Sequence, residues 1–303
     1  MTTLLITHPD CLNHVTPPGH PEQVARLKYI EAALARIEGL DRREAPLCDE
    51  ADILRCHPRA YLDAIATNGA GQLDADTWMS EGSYQAARRA VGGAVAAVDA
   101  VVAGEVRNAF VATRPPGHHA ETAKPMGFCL FGNVSIAAKH ALDGHGMSRV
   151  AVIDFDVHHG NGTQDLLWNE ARAFFATSQQ MPLWPGTGDP SERGAHDNVL
   201  NVPLAPGTGG AEMRDAYQRQ VFPRVDSFEP EMILISAGFD AHAEDPLANL
   251  NWETEDFTWL TEEICALADK HCGGRIVSVL EGGYDLDALS ESVATHVAGL
   301  MAG

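Results

Sequence analysis

Short apolar runs alternate with longer helix-like segments along most of the chain. The apolar runs predict strands at Thr3–Thr7, Ala109–Thr113, Val150–Phe155, Ala173–Thr177, Met232–Ser236 and Ile276–Leu280. The intervening segments predict helices at Glu22–Arg36, Gly82–Ala103, Asn133–Leu142, Gly210–Val221 and Thr254–Lys270. Strands that are hydrophobic throughout and separated by helices indicate a mainly parallel sheet with helices on both faces.

Length and composition favour a single α/β domain over residues 1–303. The chain is 45% hydrophobic and carries no long polar linker, low-complexity run or fixed-period repeat. No apolar stretch is long enough to span a bilayer, and the N-terminus lacks the basic and apolar regions of a secretory signal. The six cysteines form no CxxC pair, which is typical of reduced, buried thiols. These features predict a cytoplasmic protein without membrane association.

The formal net charge of −21 bears on the partners of the protein. Such a charge disfavours non-specific binding to the phosphate backbone of nucleic acids. It would attract cationic substrates such as polyamines or lysine-rich tails. A solubility surface or adaptation to a salt-rich host explains the same charge, so the charge alone leaves the substrate open.

Polar residues collect where four of the predicted strands end. The segments that follow these strands read "RPPGHHA", "DVHHGNG", "AGFDAH" and "EGGYD". In parallel α/β sheets, ligands bind beyond the carboxyl ends of the strands. Core packing could explain one such segment, but four segments that each supply His, Asp or Tyr predict a functional site at this edge.

The segment "DFDVHHGNG" indicates a metal site. Asp154, Asp156 and His158 share parity, so an extended chain would point all three side chains to one side. A lone Asp would be typical of a turn or a helix cap. Two buried carboxylates beside an imidazole are costly without a compensating charge, which a divalent cation would supply.

A catalytic zinc site commonly has three protein ligands and one open position. Asp156 and His158 supply two ligands, and Asp240 at a neighbouring strand end is the best candidate for the third. Asp245 precedes a proline, which is typical of a turn, and His242 is an alternative ligand. Two carboxylates would neutralise the ion and acidify its water less than three histidines would, so a general base is needed.

The adjacent histidines His118 and His119 could supply that base. One imidazole would take a proton from water and later deliver it to a leaving amine, while the other would remain an electrostatic partner. Asp154 and Asn161 have suitable side chains to orient the second ring nitrogens. Tyr284, after two glycines, could donate a hydrogen bond to a developing oxyanion.

For an isolated histidine or tyrosine, an ordinary core or surface role is the simpler interpretation. That interpretation is the one we give to four further histidines, namely His14, His20, His57 and His271. The combination of segments, and not any single residue, therefore carries the metal-hydrolase hypothesis.

Six segments together resemble the histone deacetylase superfamily. They read "RPPGHHA", "GFCLFGNV", "DFDVHHGNGTQ", "PLWPGTG", "SAGFDAHAEDPL" and "LEGGYD", and they follow the family's order from about Thr3 to Leu300. The similarity is greatest to class II-like bacterial members, the histone deacetylase-like amidohydrolases and acetylpolyamine amidohydrolases. It implies the arginase–deacetylase fold and zinc-dependent hydrolysis of an N-acetyl amide on a lysine-like amine, with ferrous iron as the alternative metal.

The resemblance also implies roles for individual residues. Asp156, His158 and Asp240 match the zinc ligands, His119 matches the general base and acid, and His118 matches its electrostatic partner.

Three further positions complete the implied centre. Asp154 matches the residue that orients His118, Asn161 stands beside the second histidine, and Tyr284 matches the transition-state tyrosine. The resemblance further implies a substrate site, whose residues are Phe128 and Trp184 as aromatic walls, Asp76 at the rim, and Gly282 and Gly283.

Three positions depart from the family pattern. Trp184 stands where the wall is usually Phe or Tyr, so the tunnel could be narrower or differently shaped. Gln179 replaces a histidine, so the support around the metal could differ from that of relatives. Thr177 and Ser178 would flank a structural potassium ion beside Asp154. In addition, Leu247 occupies a position where a dedicated polyamine deacetylase can carry glutamate.

Several alternatives remain open at the level of sequence. A two-metal arginase-like ureohydrolase would need further Asp and His ligands, where "DVHHGNG" and "FDAHAED" place His, Asn and Ala. A non-catalytic acyl-lysine or polyamine binder would be favoured by loss of a ligand or of the tyrosine, and neither is lost. The substrate remains open between acetylated lysine, acetylated polyamines and other short acyl amides, and the protein could be a homo-oligomer.

Overall fold

The structure, a computed structural model, describes residues 2–303. Its strands are β1 (Thr3–Thr7), β2 (Asp41–Glu44), β3 (Gly71–Gln72), β4 (Trp78–Met79), β5 (Asn108–Val111), β6 (Val150–Asp154), β7 (Ala173–Gln180), β8 (Val199–Leu204), β9 (Met232–Ala237) and β10 (Ile276–Leu280). Eight of them form one sheet in the order β2-β1-β5-β10-β9-β6-β7-β8, and all neighbouring pairs are parallel. Strands β3 and β4 form a separate short antiparallel pair.

The α-helices connect and cover the strands. They are α1 (Ala25–Leu34), α2 (Glu50–Ile53), α3 (Arg59–Thr67), α4 (Ser83–Val102), α5 (Asn133–Asp143), α6 (Asn161–Leu167), α7 (Gly210–Ala216), α8 (Phe222–Phe228), α9 (Thr254–Cys272) and α10 (Leu286–Ala302). A 3₁₀ turn covers Pro9–Asn13, and a π-helical turn at Tyr217–Val221 joins α7 to α8. None of the helices within residues 2–303 is both long and apolar enough to cross a membrane.

Both faces of the sheet are buried. Successive side chains of a strand point to opposite faces, so Ile153 and Ile235 lie in one apolar cluster while Val152 and Leu234 lie in another. The first cluster includes residues of α1, α9 and α10, and the second includes residues of α4 and α5. This arrangement confirms the predicted parallel α/β architecture with helices on both faces. All six cysteines are buried and free, as expected.

The six predicted strands are all present, but two strands of the sheet were missed. Both missed strands, β2 and β8, lie at the edges of the sheet. β2 reads "DRRE" and β8 reads "VLNVPL", so neither shows the continuous apolar pattern of a strand buried on two faces. The predicted single helix over 210–221 is also wrong, because the π-helical turn interrupts it and α8 continues to Phe228.

Sheet order explains why the four polar segments meet. The strands that precede them, β5, β10, β9 and β6, are consecutive neighbours in the sheet. Because these strands are parallel, their carboxyl ends share one edge, and the segments after Val111, Leu280, Ala237 and Asp154 emerge side by side.

Candidate active site

Three predicted metal ligands converge at this edge. The Nδ1 atom of His158 lies 3.0 Å from Oδ2 of Asp240 and 3.2 Å from Oδ1 of Asp156. One ligand atom from each of the three residues lies within 4.8 Å of the others, and all three residues are buried. His242 and Asp245, the alternatives from the sequence, do not belong to this group. The ring of His242 stacks on Phe257 at a centroid distance of 6.5 Å.

The route by which these residues converge differs from the prediction. Strand β6 ends at Asp154, and the chain then turns instead of continuing in the extended form assumed from residue parity. The backbone N–H of Asp156 donates to Oδ1 of Asp154 at 3.1 Å, and that of His158 donates to Oδ1 of Asp156 at 2.9 Å. Two successive aspartate turns therefore orient Asp156 and His158 towards the cluster. Asp154 points to His118 and not to the cluster.

The residues of this cluster fit a divalent cation. Bonds of about 2.0–2.2 Å in a tetrahedral zinc site place ligand atoms roughly 3.3 Å apart, close to the separations around His158. Burial would lower the pKa of His158, but hydrogen bonding and charge from Asp156 and Asp240 raise it to about 10. The two carboxylates thus favour a positive charge at this point.

Gly282 leaves room for the two ligand carboxylates. Its backbone N–H donates to Oδ2 of Asp156 at 2.8 Å. A Cβ atom at position 282 would lie 2.3 Å from Oδ2 of Asp240 and 2.5 Å from Oδ2 of Asp156. Any side chain at position 282 would displace the two carboxylates, so the cluster requires the first glycine of "EGGYD".

The adjacent histidines lie beside the cluster, each with its own partner. Nδ1 of His118 lies 3.0 Å from Oδ2 of Asp154, and Nδ1 of His119 lies 2.7 Å from Oδ1 of Asn161. The Asn161 amide nitrogen donates to Oε1 of Glu121 at 2.8 Å, which fixes Oδ1 as the atom that faces His119. A carbonyl oxygen only accepts, so Nδ1 of His119 carries the hydrogen and Nε2 keeps a free lone pair.

The two imidazoles differ in their electrostatic surroundings. Burial lowers the pKa of His119 well below its usual value, and the charges of His118 and His158 lower it further. Burial also acts to lower the pKa of His118, but the carboxylates of Asp156, Asp154 and Glu281 outweigh it and raise that pKa well above the usual value. These surroundings favour a neutral ring at His119 and a cationic ring at His118, and the two ring centroids lie 3.9 Å apart.

Tyr284 approaches the cluster from the end of β10. Burial, followed by the charge of Asp240, raises the pKa of its phenol well above the usual value, so the hydroxyl remains a hydrogen-bond donor. Its backbone N–H donates to Oδ2 of Asp245 at 2.7 Å, and the guanidinium of Arg26 lies 5.1 Å from its ring centroid.

A pocket of about 210 Å³ opens above these groups. Apolar and aromatic side chains dominate its wall, and two imidazoles and a phenol reach it from the centre. Its lining consists of Asp76, His119, Gly127, Phe128, His158, Leu183, Trp184, Leu247 and Tyr284.

Comparison with known proteins supplies the family. Residues 20–300 match the sequence model of the histone deacetylase domain. The chain belongs to the histone deacetylase family. It is 41% identical to the histone deacetylase-like amidohydrolase of Pseudomonas aeruginosa over 89% of this chain and 74% of that protein.

A plant relative and a solved structure agree with this assignment. Histone deacetylase 14, chloroplastic, of Arabidopsis thaliana is 37% identical over 97% of this chain and 73% of its own length. The crystal structure of the HDA15 HD domain matches with a TM-score of 0.94 and 30% identity, over 99% of this chain and 88% of that one. The predicted arginase–deacetylase fold and the class of amide-hydrolysing deacetylases are thereby confirmed.

The substrate residues expected from the histone deacetylase resemblance divide into two groups. Phe128, Trp184 and Asp76 line the pocket. Trp184 is 42% exposed, and its ring lies 4.8 Å from that of His119 in an edge-on arrangement. Gly282 and Gly283 lie outside the pocket lining, so their contact with substrate remains a prediction.

The residues of the predicted potassium site lie on the neighbouring strands β6 and β7. Thr177 is the register partner of Asp154, and its buried hydroxyl has no hydrogen-bond partner among the described residues. An orphaned oxygen beside a carboxylate fits a hard cation, whereas the hydroxyl of Ser178 is already 2.8 Å from that of Tyr217. Gln179 stands where relatives carry a histidine. Its amide nitrogen donates to the carbonyl of Gly188 at 2.9 Å.

Four buried or half-buried residues hold the candidate site together, although we did not assign them to it from the sequence. Glu281 accepts the N–H groups of Gly117 (2.7 Å) and His118 (3.1 Å), and thus holds the histidine loop. The other three are Arg26, Asp245 and Glu121. Arg26 donates to the carbonyl of Gly283 at 2.6 Å, Asp245 accepts from the backbone of Tyr284, and Glu121 accepts from Asn161. The turn interpretation of Asp245 is incomplete, because it accepts from both Leu247 and Tyr284.

The sequence contained a signal for two of these four residues. Glu281 and Asp245 both lie within the motif segments, and Glu281 directly follows the buried strand β10, where a charged residue requires a partner. Arg26 lies 257 positions from its partner Gly283, so no local pattern could reveal that contact.

Proposed function

We propose that this chain is a metal-dependent deacylase that cleaves the N-acetyl amide of a lysine-like amine and releases acetate and the free amine. The observation that carries the proposal is the convergence of His119, Tyr284 and the Asp156–His158–Asp240 cluster at the inner end of a narrow aromatic pocket. In this arrangement a base, a hydrogen-bond donor and a cation site all face the position where an acyl group would end.

Asp156, His158 and Asp240 would hold the ion, with Zn²⁺ as our first assignment and Fe²⁺ as the alternative. The borderline ligand set of one nitrogen and two carboxylate oxygens accepts either metal. When bound, such an ion supplies Lewis-acid polarisation of the acetyl carbonyl and of a water molecule. We likewise assign a structural potassium ion to Asp154, Thr177 and Ser178.

His119 carries the proton transfers of the proposed reaction. Its Nε2 atom takes a proton from the attacking water, because the bond from Nδ1 to Asn161 leaves the lone pair of Nε2 free. His119 then delivers this proton to the amine nitrogen as the C–N bond breaks. His118, held cationic by the surrounding carboxylates, stabilises the negative charge that develops nearby.

Tyr284 binds the oxygen of the reacting carbonyl. Its raised pKa keeps the phenol protonated, so the hydroxyl donates a hydrogen bond that strengthens as the oxygen becomes an oxyanion. The carboxylate of Asp245 holds the backbone of Tyr284, and Arg26 holds the glycine before it. These contacts position the phenol before the substrate arrives.

The pocket walls favour acetylated lysine over acetylated polyamines. Phe128, Trp184, Leu183 and Leu247 offer apolar surface for an alkyl chain, and Leu247 supplies no charge for a second amine. Asp76 at the rim would bind the backbone N–H of a peptide substrate. A peptide-like acyl-lysine is therefore our first substrate, and N-acetylpolyamines are the second candidate because of the net charge of −21.

The structure offers less support for the two rival functions. Within residues 2–303, the potential metal ligands at this site form one group of three, whereas a binuclear ureohydrolase needs further bridging ligands. A non-catalytic binder would have no use for a base whose tautomer is fixed by Asn161.

The decisive experiment is turnover by purified protein of known metal content. Substrates would be a fluorogenic acetyl-lysine peptide, N-acetylputrescine and N-acetylspermidine, with a hydroxamate as the inhibitor control. We expect fast, hydroxamate-sensitive acetate release from the peptide. Release from the polyamines alone would overturn the substrate assignment, and release from none of these amides would overturn the proposed deacetylation of lysine-like amines.

A further inference from the structure

We infer that Asp99, His140 and His145 form a second site for a divalent transition-metal ion. Asp99 lies near the end of α4, which leads into β5, and His140 and His145 lie at the end of α5, which leads into β6. The cluster therefore sits where strands begin, at the opposite edge of the sheet from the proposed active site. It is independent of the proposed function.

The side chains converge as metal ligands do. The Nε2 atoms of His140 and His145 each lie 2.6 Å from Oδ1 of Asp99. The two imidazole rings are perpendicular, with centroids 5.1 Å apart, and one ligand atom of each residue lies within 4.8 Å of the others. Two imidazoles and one carboxylate are ligands that Zn²⁺, Ni²⁺ and Cu²⁺ accept.

The local chain is built to bring these histidines together. They occur as "HALDGH", a spacing within the range found for paired histidine ligands of zinc. On a continuous helix this spacing would leave them about 140° apart. Instead α5 ends at Asp143, and the N–H of Met147 donates back to the carbonyl of Ala141 at 3.2 Å. This turn returns His145 to the side of His140.

The pairing of Asp99 differs from that of Asp226, another partly exposed carboxylate with a histidine partner. Asp226, for comparison, accepts from His271 at 2.7 Å and is also paired with the ammonium of Lys270. Among residues 2–303, the salt-bridge partners of Asp99 are His140 and His145 and include no lysine or arginine. Burial alone would raise the pKa of Asp99, but the hydrogen bonds from both imidazoles hold it below its usual value.

The partial exposure of these three side chains suits a metal ion whose remaining coordination positions are filled by water. The Asp99 side chain is 52% exposed and that of His145 is 27% exposed, whereas that of His140 is 13% exposed and anchored against the helix. Ligand atoms of a tetrahedral zinc site lie roughly 3.3 Å apart, so binding asks for a shift of less than about 1 Å from these side chains. The ion would tie the end of α4 to the turn after α5.

Zinc stoichiometry tests this site. Full-length chain, stripped of metal by a chelator, would be titrated with Zn²⁺ and its bound metal counted after equilibrium dialysis. We expect about two ions per chain for the wild type, one ion after Asp156→Ala, one ion after His140→Asn with His145→Asn, and none after all three changes. The matched control His271→Asn, which removes a histidine with a single carboxylate partner, should still bind two ions.

A spectroscopic measurement guards against loss of folding. In the Asp156→Ala protein, Cu²⁺ should give an electron paramagnetic resonance spectrum with coupling to two imidazole nitrogens, and Zn²⁺ should raise the Tm by several degrees. Both effects should disappear when the exposed His145→Asn change is added, while circular dichroism stays unchanged. A stoichiometry that does not fall when His140 and His145 are replaced, or a Cu²⁺ spectrum without nitrogen coupling, would overturn the inference.

Discussion

The imidazole of His119 is tied through its Nδ1 atom to Oδ1 of Asn161, at 2.7 Å, and this bond sets which ring nitrogen is free to react. The orientation of the Asn161 amide depends in turn on the carboxylate of Glu121, which accepts from the amide nitrogen. Glu121 is partly exposed, so the tautomer of the buried His119 depends on a hydrogen bond made at the protein surface. This chain of contacts leads to the first two predictions.

Replacement of His119 by alanine should abolish turnover but leave the metal in place. Removal of a general base and acid costs on the order of 10²–10⁴-fold in rate, and His119 is not part of the ligand cluster. The measurement is kcat together with metal content for His119→Ala and for Asp156→Ala, which should lose both turnover and the ion of the candidate active site but keep an ion bound by Asp99, His140 and His145. Near-normal turnover by His119→Ala would exclude the assigned role.

Loss of the Glu121 carboxylate should lower kcat about tenfold without a comparable change in KM. Without this acceptor, the Asn161 amide can flip and present its nitrogen to His119, which favours the wrong tautomer. Glu121→Gln is the matched control, because its amide oxygen still accepts from Asn161 and should restore most of the rate. Equal kcat values for Glu121→Ala and Glu121→Gln that match the wild type would show that Asn161 is held by other contacts.

Replacement of Tyr284 by phenylalanine should lower kcat by roughly 10²–10³-fold, the cost of losing one oxyanion donor. Substrate affinity should change little, because the ring and its contacts with Phe128 and Arg26 remain. Steady-state kinetics on an acetyl-lysine peptide give both numbers. An effect confined to KM would assign Tyr284 to binding.

A glutamate in place of Leu247 should shift specificity towards acetylated polyamines. Leu247 lines the pocket, and a carboxylate there would attract the second ammonium group that a polyamine carries and acetyl-lysine lacks. We expect the ratio of kcat/KM for N-acetylspermidine over an acetyl-lysine peptide to rise about tenfold, which corresponds to ~1.4 kcal/mol. Leu247→Gln, of similar size but uncharged, is the control, and an equal shift in both variants would point to shape instead of charge.

His296 should make the fold sensitive to acid. Burial lowers the pKa of His296 to about 3, and its ring nitrogens lie 2.7 Å and 2.8 Å from the hydroxyls of Thr261 and Ser278. In the unfolded chain the pKa returns to about 6.5. The unfolded state therefore binds more protons below pH 6.5, so this contribution to stability is complete above that pH and is lost as pH falls towards 3.

At pH 5, this one histidine should lower the free energy of unfolding by about 2 kcal/mol relative to neutral pH. Urea unfolding at pH 7.5 and pH 5 measures it as the difference in free energy of unfolding. His296→Asn should flatten the pH dependence by about this amount, although it lowers stability at pH 7.5. His196→Asn at an exposed position should keep the wild-type slope, and identical slopes for all three proteins would disprove the assignment.

The sequence by itself determined the parallel α/β class, the six inner strands and the polar segments that meet at the candidate site. Buried parallel strands must be apolar throughout, and a polar segment that directly follows such a strand differs clearly from it in composition. Both features can therefore be recognised from residues that are close together in the sequence. Edge strands β2 and β8 escaped detection because each lies at an edge of the sheet and lacks that continuous apolar signal.

Tertiary structure decided how the site residues meet. Sheet order made β5, β10, β9 and β6 neighbours, although they lie far apart in the sequence. Aspartate turns, not an extended chain, aimed Asp156 and His158. The supports of the site, such as Arg26 on Gly283 and Glu121 on Asn161, are long-range hydrogen bonds between residues that no local pattern connects. Residue type and local order set which groups are available, but only the packing of distant segments sets which atoms come within bonding distance.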